Sequence, residues 1–308
     1  MNSMRPILIA GPTASGKSAL ALSLAQEFGG VVINADSMQV YSELEILSAR
    51  PSSCELTRAP HALYGFVPAC EAYSAGRYVA DAARALEETK RQGRRPIFVG
   101  GTGLYFKALL EGLSPIPPVP APIRDHWRQR AESAGAQALH ATLVLRDQEM
   151  AARLNPADTQ RIVRALEVLD ATGVSLSVWQ AKPGVPTIEP DDAVRLVMTL
   201  EREELHSRAD QRFDQMMQDG ALAEADRISA LNLDPNLPAM RALGVAPLIA
   251  AVRGEMSVET AIACAKAETR QYIKRQETWI KRHMIAWNHM SAQQMEHFLP
   301  EMIAFIKS

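Results

Sequence analysis

Gly11-Pro12-Thr13-Ala14-Ser15-Gly16-Lys17-Ser18 fits the phosphate-binding loop pattern G-x-x-x-x-G-K-[ST] at every fixed position. Its two glycines let the backbone curl so that successive N–H groups point inward, at the positive end of the helix that follows. Lys17 is placed to neutralise the outer phosphates of a ligand, and the Ser18 hydroxyl to hold a Mg2+ that bridges two phosphate groups. Ile7-Leu8-Ile9-Ala10 before the loop reads as a short buried strand, and Ser18 to Phe28 has helical spacing closed by Gly29-Gly30. Strand, glycine loop and helix is the order such a loop requires. The loop alone leaves open whose phosphates it holds.

Working outward, the chain has 308 residues, 47% of them hydrophobic and 22% charged, which suits a globular protein with one large domain or a domain with an insertion. No apolar run approaches membrane-spanning length and Met1-Asn2-Ser3-Met4-Arg5 lacks a signal-peptide pattern, so a cytoplasmic protein that engages no membrane is expected. Cys54, Cys70 and Cys264 lie far apart and read as reduced thiols. A net charge of -2 argues against indiscriminate coating of nucleic acid, although it averages over local clusters.

Val31-Val32-Ile33-Asn34 reads as a second strand that delivers Asp36-Ser37-Met38-Gln39 at its carboxyl end. In an open parallel sheet that end faces the ligand crevice, which puts a carboxylate beside the phosphate site; a turn aspartate capping the next segment is the simpler alternative. Residues 42–70 read as irregular. Ser74 to Gln92 is an amphipathic helix with Tyr78, Val79, Ala82 and Leu86 on one face. The strand Pro96-Ile97-Phe98-Val99 runs into Gly100-Gly101-Thr102-Gly103 where a nucleotide hydrolase would carry an aspartate, and these glycines allow either a close approach to a ligand or a tight turn.

Five prolines between Ser114 and Pro122 form a stiff connector, and Lys182-Pro183-Gly184-Val185-Pro186 forms a second. Residues 116–190 therefore read as a helical insertion in a core made of 1–115 and 191–308. Within it Asp158 caps a helix over Thr159 to Thr172 that carries Gln160, Arg161 and Arg164, and Arg124 follows the first connector. Such a cluster is either a solvated face or an anion contact. Arg202 to Gln218 is a helix around Leu205, Phe213 and Met217 that carries Arg208 and Arg212. Ser257 caps a long helix running to about Trp287, whose basic residues between 266 and 283 exceed the acidic ones by four.

The phosphate loop, Asp36-Ser37-Met38-Gln39-Val40-Tyr41, Gly100-Gly101-Thr102-Gly103-Leu104-Tyr105, Arg161-Ile162-Val163-Arg164-Ala165-Leu166-Glu167-Val168 and Thr269-Arg270-Gln271-Tyr272-Ile273-Lys274-Arg275-Gln276-Glu277-Thr278-Trp279 occur in one order. In these five blocks the chain resembles the tRNA dimethylallyltransferases. The resemblance implies an α/β fold, a phosphate-loop parallel sheet flanked by helices with a helical insertion and a mostly helical C-terminal part. It implies a bacterial-type enzyme, acting as a monomer, that moves a dimethylallyl group from dimethylallyl diphosphate to N6 of the adenosine next to the anticodon, position 37, in tRNA. Mg2+ is the implied cofactor and the anticodon stem-loop the implied partner.

The resemblance also assigns residues. Asp36, Lys17 and Thr13 would be catalytic, with Asp36 as base. Gly11, Pro12, Thr13, Ala14, Ser15, Gly16, Lys17 and Ser18 would line the diphosphate pocket, with Ser18 on the metal. Asp36, Ser37, Met38, Gln39, Thr102, Arg124, Gln160, Arg161, Ile162, Val163 and Arg164 would contact tRNA, while Arg208 and Arg212 are further diphosphate candidates. Leu243-Gly244-Val245-Ala246 lacks the glutamate common in the family, which leaves that turn without a role. The rival readings are an adenylate dimethylallyltransferase, a small-molecule kinase using ATP at the same loop, and an RNA-binding protein with a vestigial loop.

Overall fold

The computed structural model describes residues 4–294 together with Pro300, Ile303, Ala304 and Ile306. The chain divides into two compact units, one of residues 1–110 with 187–308 and the other of 111–186.

The first unit opens with strand β1 (Ile7–Ala10), helix α1 (Lys17–Phe28) and β2 (Val31–Asn34), then α2 (Ser53–Arg58), β3 (His61–Ala62), α3 (Ala75–Arg91), β4 (Pro96–Gly100) and α4 (Gly103–Glu111). The second contains α5 (Ala121–Arg146), interrupted at Gly135, α6 (Gln148–Arg153), α7 (Thr159–Thr172) and α8 (Leu176–Gln180). The first unit resumes with β5 (Val194–Thr199), α9 (Arg202–Gln218), α10 (Ala221–Ala230), α11 (Val245–Val252), α12 (Val258–His283) and β6 (Asn288–Ser291).

All the strands pair in parallel in the order β3-β2-β4-β1-β5-β6. Because strand side chains alternate between faces, Leu8, Ala10, Ile33, Phe98 and Val197 join one core with α3, α4 and the later helices, whereas Ile7, Ile9, Val32, Ile97, Val99 and Leu196 bury Leu20, Ala21 and Leu24 of α1 on the other. Burial on both faces explains why these strands read as apolar runs rather than alternating ones. The register sets Ala10 beside Gly100 and Asn34 beside Val99. The chain therefore leaves β2, β4 and β1 at one edge, where ligands bind in sheets of this class.

Residues 42–70 are not wholly irregular. Ser52 accepts the Glu55 amide while Glu55 returns a bond to the Ser52 amide, a reciprocal cap that starts α2. The helix buries none of its side chains, so it leaves no apolar period to read. Helix α12 stops at His283, and Trp287 beyond it packs its buried ring edge-on against Phe106. In α9 the core stripe is Leu205, Ala209, Phe213 and Met216, with Met217 only partly buried. The second unit has its own core of Trp127, Leu139, Leu143, Ile162, Leu166 and neighbouring residues.

Candidate active site

The phosphate loop is held as a curl by Gly16, whose φ of 84° lies in the left-handed region that glycine tolerates, and α1 begins at Lys17. The Ser15 amide donates to the Pro12 carbonyl at 3.2 Å and Lys17 Nζ folds back to that same oxygen at 3.2 Å. Burial pulls the Lys17 ammonium down to about 8; the Asp36 carboxylate pulls it upward, and the Arg212 guanidinium adds to the depression. Arg212 is itself depressed by burial and held up by Asp36. Two cations and one carboxylate are therefore close enough to act on one another's charge. Arg208 instead pairs with Glu204 at 2.5 Å on an exposed stretch of α9.

Asp36 is fixed on both sides. Its amide donates to Asn34 Oδ1 at 2.8 Å, and its own Oδ1 accepts the Met38 amide at 3.0 Å, so the turn-capping role is real. Its other oxygen, Oδ2, faces Gly101, since a Cβ there would come within 3.3 Å of it. The neighbouring phenols of Tyr64, Tyr105 and Tyr272 are pushed up, first by burial and then by the Asp36 charge.

Gly100, which ends β4, and Gly101 and Gly103 beyond it serve close approach, but to the protein itself. A Cβ on Gly100 would strike the Ala35 carbonyl, one on Gly101 the Gln276 amide, and one on Gly103 the Trp279 ring. Thr102 Oγ1 accepts the Ser37 amide at 3.0 Å. Gln39, expected to contact tRNA, spends its Nε2 on the Ser48 and Ala49 carbonyls at 3.0 and 2.7 Å. That leaves only its oxygen for a base edge, and makes Gln39 a clamp on the loop that follows it. Met38 packs partly against the core.

Two residues of the site carry no clear mark in the sequence. Gln276 accepts the Thr13 amide at 2.9 Å and donates to the Gly101 carbonyl at 3.0 Å, and the phenol of Tyr272, one turn earlier, lies close enough to Thr102 and Gln276 for both to oppose the upward push of burial on it. The available signal is that two polar residues, Thr269 and Gln276, interrupt a stripe otherwise made of Ala261, Ala265, Ile273 and Ile280. The turn at Gly244 also gains a structural account: its φ is 81°, it starts α11, and its amide donates to Glu268 at 3.4 Å beside the Phe213 ring.

In the second unit Asp158 caps α7 by accepting the Arg161 amide at 3.2 Å. Gln160 and Arg161 are exposed, Val163 and Arg164 half-buried, and Arg124 exposed on α5. Ile162 differs from the expectation: at 0% exposure it packs into that unit's core and presents nothing to a ligand. Arg161 and Arg164 pair with Asp158 and Glu167 at 3.3 and 3.4 Å. On α12, Lys266 and Arg270 face Asp214 and Asp210 of α9, so part of that helix's basic excess is neutralised internally.

Such a loop, with two cations and a carboxylate across a glycine strip, can hold a diphosphate and take a proton beside it. The state of Lys17 makes that checkable. A diphosphate prefers the ammonium, so affinity should be level below about pH 8 and fall by up to about tenfold per pH unit above it. Competition binding of inorganic diphosphate from pH 6.5 to 9.5, with Lys17→Met to cancel the ligand's own ionisation, reads this; identical profiles in both proteins would contradict it.

A family model described as IPP transferase matches residues 39–283, and one described as isopentenyl transferase matches residues 4–62. The chain is 52% identical over 289 residues to a tRNA dimethylallyltransferase of Bradyrhizobium sp. (strain ORS 278), covering 94% of each protein. It is 49% identical over 302 residues to that of Parvibaculum lavamentivorans, covering 98% of this chain and 96% of the relative. Among solved structures, the full-length tRNA isopentenylpyrophosphate transferase of Bacillus halodurans superposes with a TM-score of 0.70 at 28% identity, covering 98% of this chain and 97% of that one. A eukaryotic dimethylallyltransferase captured acting on tRNA gives 0.81 at 29% identity, covering 96% of this chain and 75% of that one.

Proposed function

We propose that this chain, which belongs to the IPP transferase family, transfers a dimethylallyl group from dimethylallyl diphosphate to the N6 amine of adenosine 37 in tRNA. The observation that carries the reading is the meeting of an anion loop, Lys17 and Arg212 with Asp36 across Gly101, at the end of a strand that finishes in glycine where a phosphate hydrolase would need a carboxylate. No water has to be aimed at phosphorus in this reaction. What is needed is a cradle for a departing diphosphate and a base beside the acceptor.

Adenine N6 is a weak nucleophile because its lone pair is delocalised into the ring. As the N6–C1 bond forms and the C1–O bond breaks, the electron pair leaves with the diphosphate and the N6 proton passes to Asp36. The loop amides, Lys17 and Arg212 meet the charge that grows on the leaving group. Thr13 already donates its amide to Gln276, so its part at the diphosphate falls to its side chain. The exposed Ser18 hydroxyl, on the first turn of α1, fits Mg2+, which needs only one or two protein oxygens alongside phosphates and water. When bound, that ion would supply further charge neutralisation on the diphosphate.

Adenosine must leave its stack in the anticodon loop to reach Asp36. Ser37, Met38, Gln39 and Thr102 border its path, and Arg124, Gln160, Arg161 and Arg164 of the insertion are read as the grip on the tRNA backbone. Arg161→Ala is expected to weaken tRNA binding and to lower the log–log salt slope by about 0.7–0.9, measured by titration at several salt concentrations; an unchanged slope removes Arg161 from the grip. Arg164→Ala is a poorer probe, because it also strips the partner from the nearly buried Glu167.

The overall reading is tested by offering labelled dimethylallyl diphosphate and Mg2+ to unmodified tRNA and, separately, to adenosine monophosphate, with ATP hydrolysis followed in parallel. Label in tRNA is expected. Label only in the nucleotide, or ATP turnover without isoprenyl transfer, overturns it in favour of an adenylate prenyltransferase or a kinase.

A further inference from the structure

Gln276 is 5% exposed and lies on the face of α12 that otherwise buries Ala261, Ala265, Thr269, Ile273 and Ile280. An unpaired carboxamide is costly in such a place, and both ends of this one are engaged. One end takes the Thr13 amide of the phosphate loop, and the other gives a hydrogen to the Gly101 carbonyl. From Gly101 the chain runs into Thr102, which holds the Ser37 amide next to Asp36. Glycine is obligatory at 101 because a side chain would displace the Gln276 amide.

A single rigid group thus joins the loop that cradles the donor to the strip that borders the acceptor. A planar carboxamide cannot follow a shift of Thr13 without carrying its other end, so a displacement of the phosphate loop is passed to Gly101. We propose that Gln276 is a positioning residue that couples the two substrate sites, so that a filled diphosphate loop sets the strip from Gly101 to Ser37 and the two substrates bind cooperatively. This rests on the function proposed above.

The test uses the full-length protein as wild type, Gln276→Met, Gln276→Glu and the control Thr269→Val, whose hydroxyl bonds only the Ala265 carbonyl of its own helix. Binding of unmodified tRNA is measured with and without unreactive dimethylallyl S-thiolodiphosphate, beside steady-state transfer and thermal unfolding. For wild type, the analogue is expected to tighten tRNA binding about five-fold or more, the lower end of ordinary coupling between sites. Gln276→Met should bring that ratio close to one and lower kcat. Gln276→Glu keeps an acceptor for Thr13 but turns an oxygen toward the Gly101 carbonyl, so it too should lose the ratio even if the methionine variant folds poorly. Thr269→Val should keep it whatever its melting temperature. A ratio of one in wild type, or a wild-type ratio in both Gln276 variants, overturns the inference while transfer by the wild type stands. Absence of transfer by the wild type overturns the proposed function and the coupling with it.

Discussion

Asp36→Asn is expected to cut turnover by about 10²–10⁴-fold, the usual contribution of a positioned base, while donor binding is kept or tightened. Asparagine retains an Oδ1 to accept the Met38 amide, so the turn after β2 should survive the change. What disappears is the proton acceptor and one negative charge. That charge supports the protonated forms of Lys17 and Arg212 and also competes with a diphosphate for them. Its loss leaves two cations facing the donor alone, which favours binding, and leaves the N6 proton without a destination, which stops chemistry. Single-turnover transfer with saturating tRNA, set beside the donor dissociation constant, separates the two effects. Wild-type turnover would remove Asp36 as base. Donor affinity collapsing together with turnover would make it an organiser of the donor loop instead.

The second large effect concerns stability. Glu224 of α10 is 1% exposed, and its carboxylate accepts the amides of Glu45, Ile46 and Leu47 at 3.0, 2.8 and 2.9 Å. Glu224→Leu leaves those amides without a partner at about 1–3 kcal/mol each. Relief of the buried carboxylate's own desolvation offsets part of that cost, so a total loss on the order of 3–6 kcal/mol follows, a large part of the roughly 5–15 kcal/mol that holds a typical domain together. The same turn offers the Ser48 and Ala49 carbonyls that clamp Gln39, so the damage should reach the acceptor side. The melting temperature followed by circular dichroism should fall by roughly 6–24 °C, at about 2–4 °C per kcal/mol for a domain approaching this size. A fall below about 2 °C would mean that the loop finds other acceptors.

Local chemistry made much of this fold legible. Caps at Ser74, Asp158 and Ser257 and the left-handed glycines at 29 and 173 mark helix ends that the structure keeps. Apolar runs at 7–10, 31–34 and 96–99 announce strands buried on both faces, and parallel order then brings Asp36 and the phosphate loop to one edge. Helix α2 escaped because it buries no side chain, and β3 because it is two residues long. Arg212 comes forward only through the family resemblance, and Gln276 and Glu224 belong to ordinary helices; the importance of these two comes from groups some 175 to 263 residues away in the chain. Periodicity reports which face of a helix is buried, but it does not report which polar side chain on that face meets a loop amide. Ile162 shows the converse: inside a block read as contacting RNA, it is fully buried in the core of the second unit.

The most direct test of the account is nucleoside analysis of unmodified tRNA after incubation with the protein, dimethylallyl diphosphate and Mg2+, with released diphosphate measured in the same reaction. The account predicts one N6-dimethylallyladenosine per tRNA, at the position next to the anticodon, matched one to one by diphosphate. Diphosphate release without that nucleoside, or the modification at another position or on free nucleotide only, would contradict it.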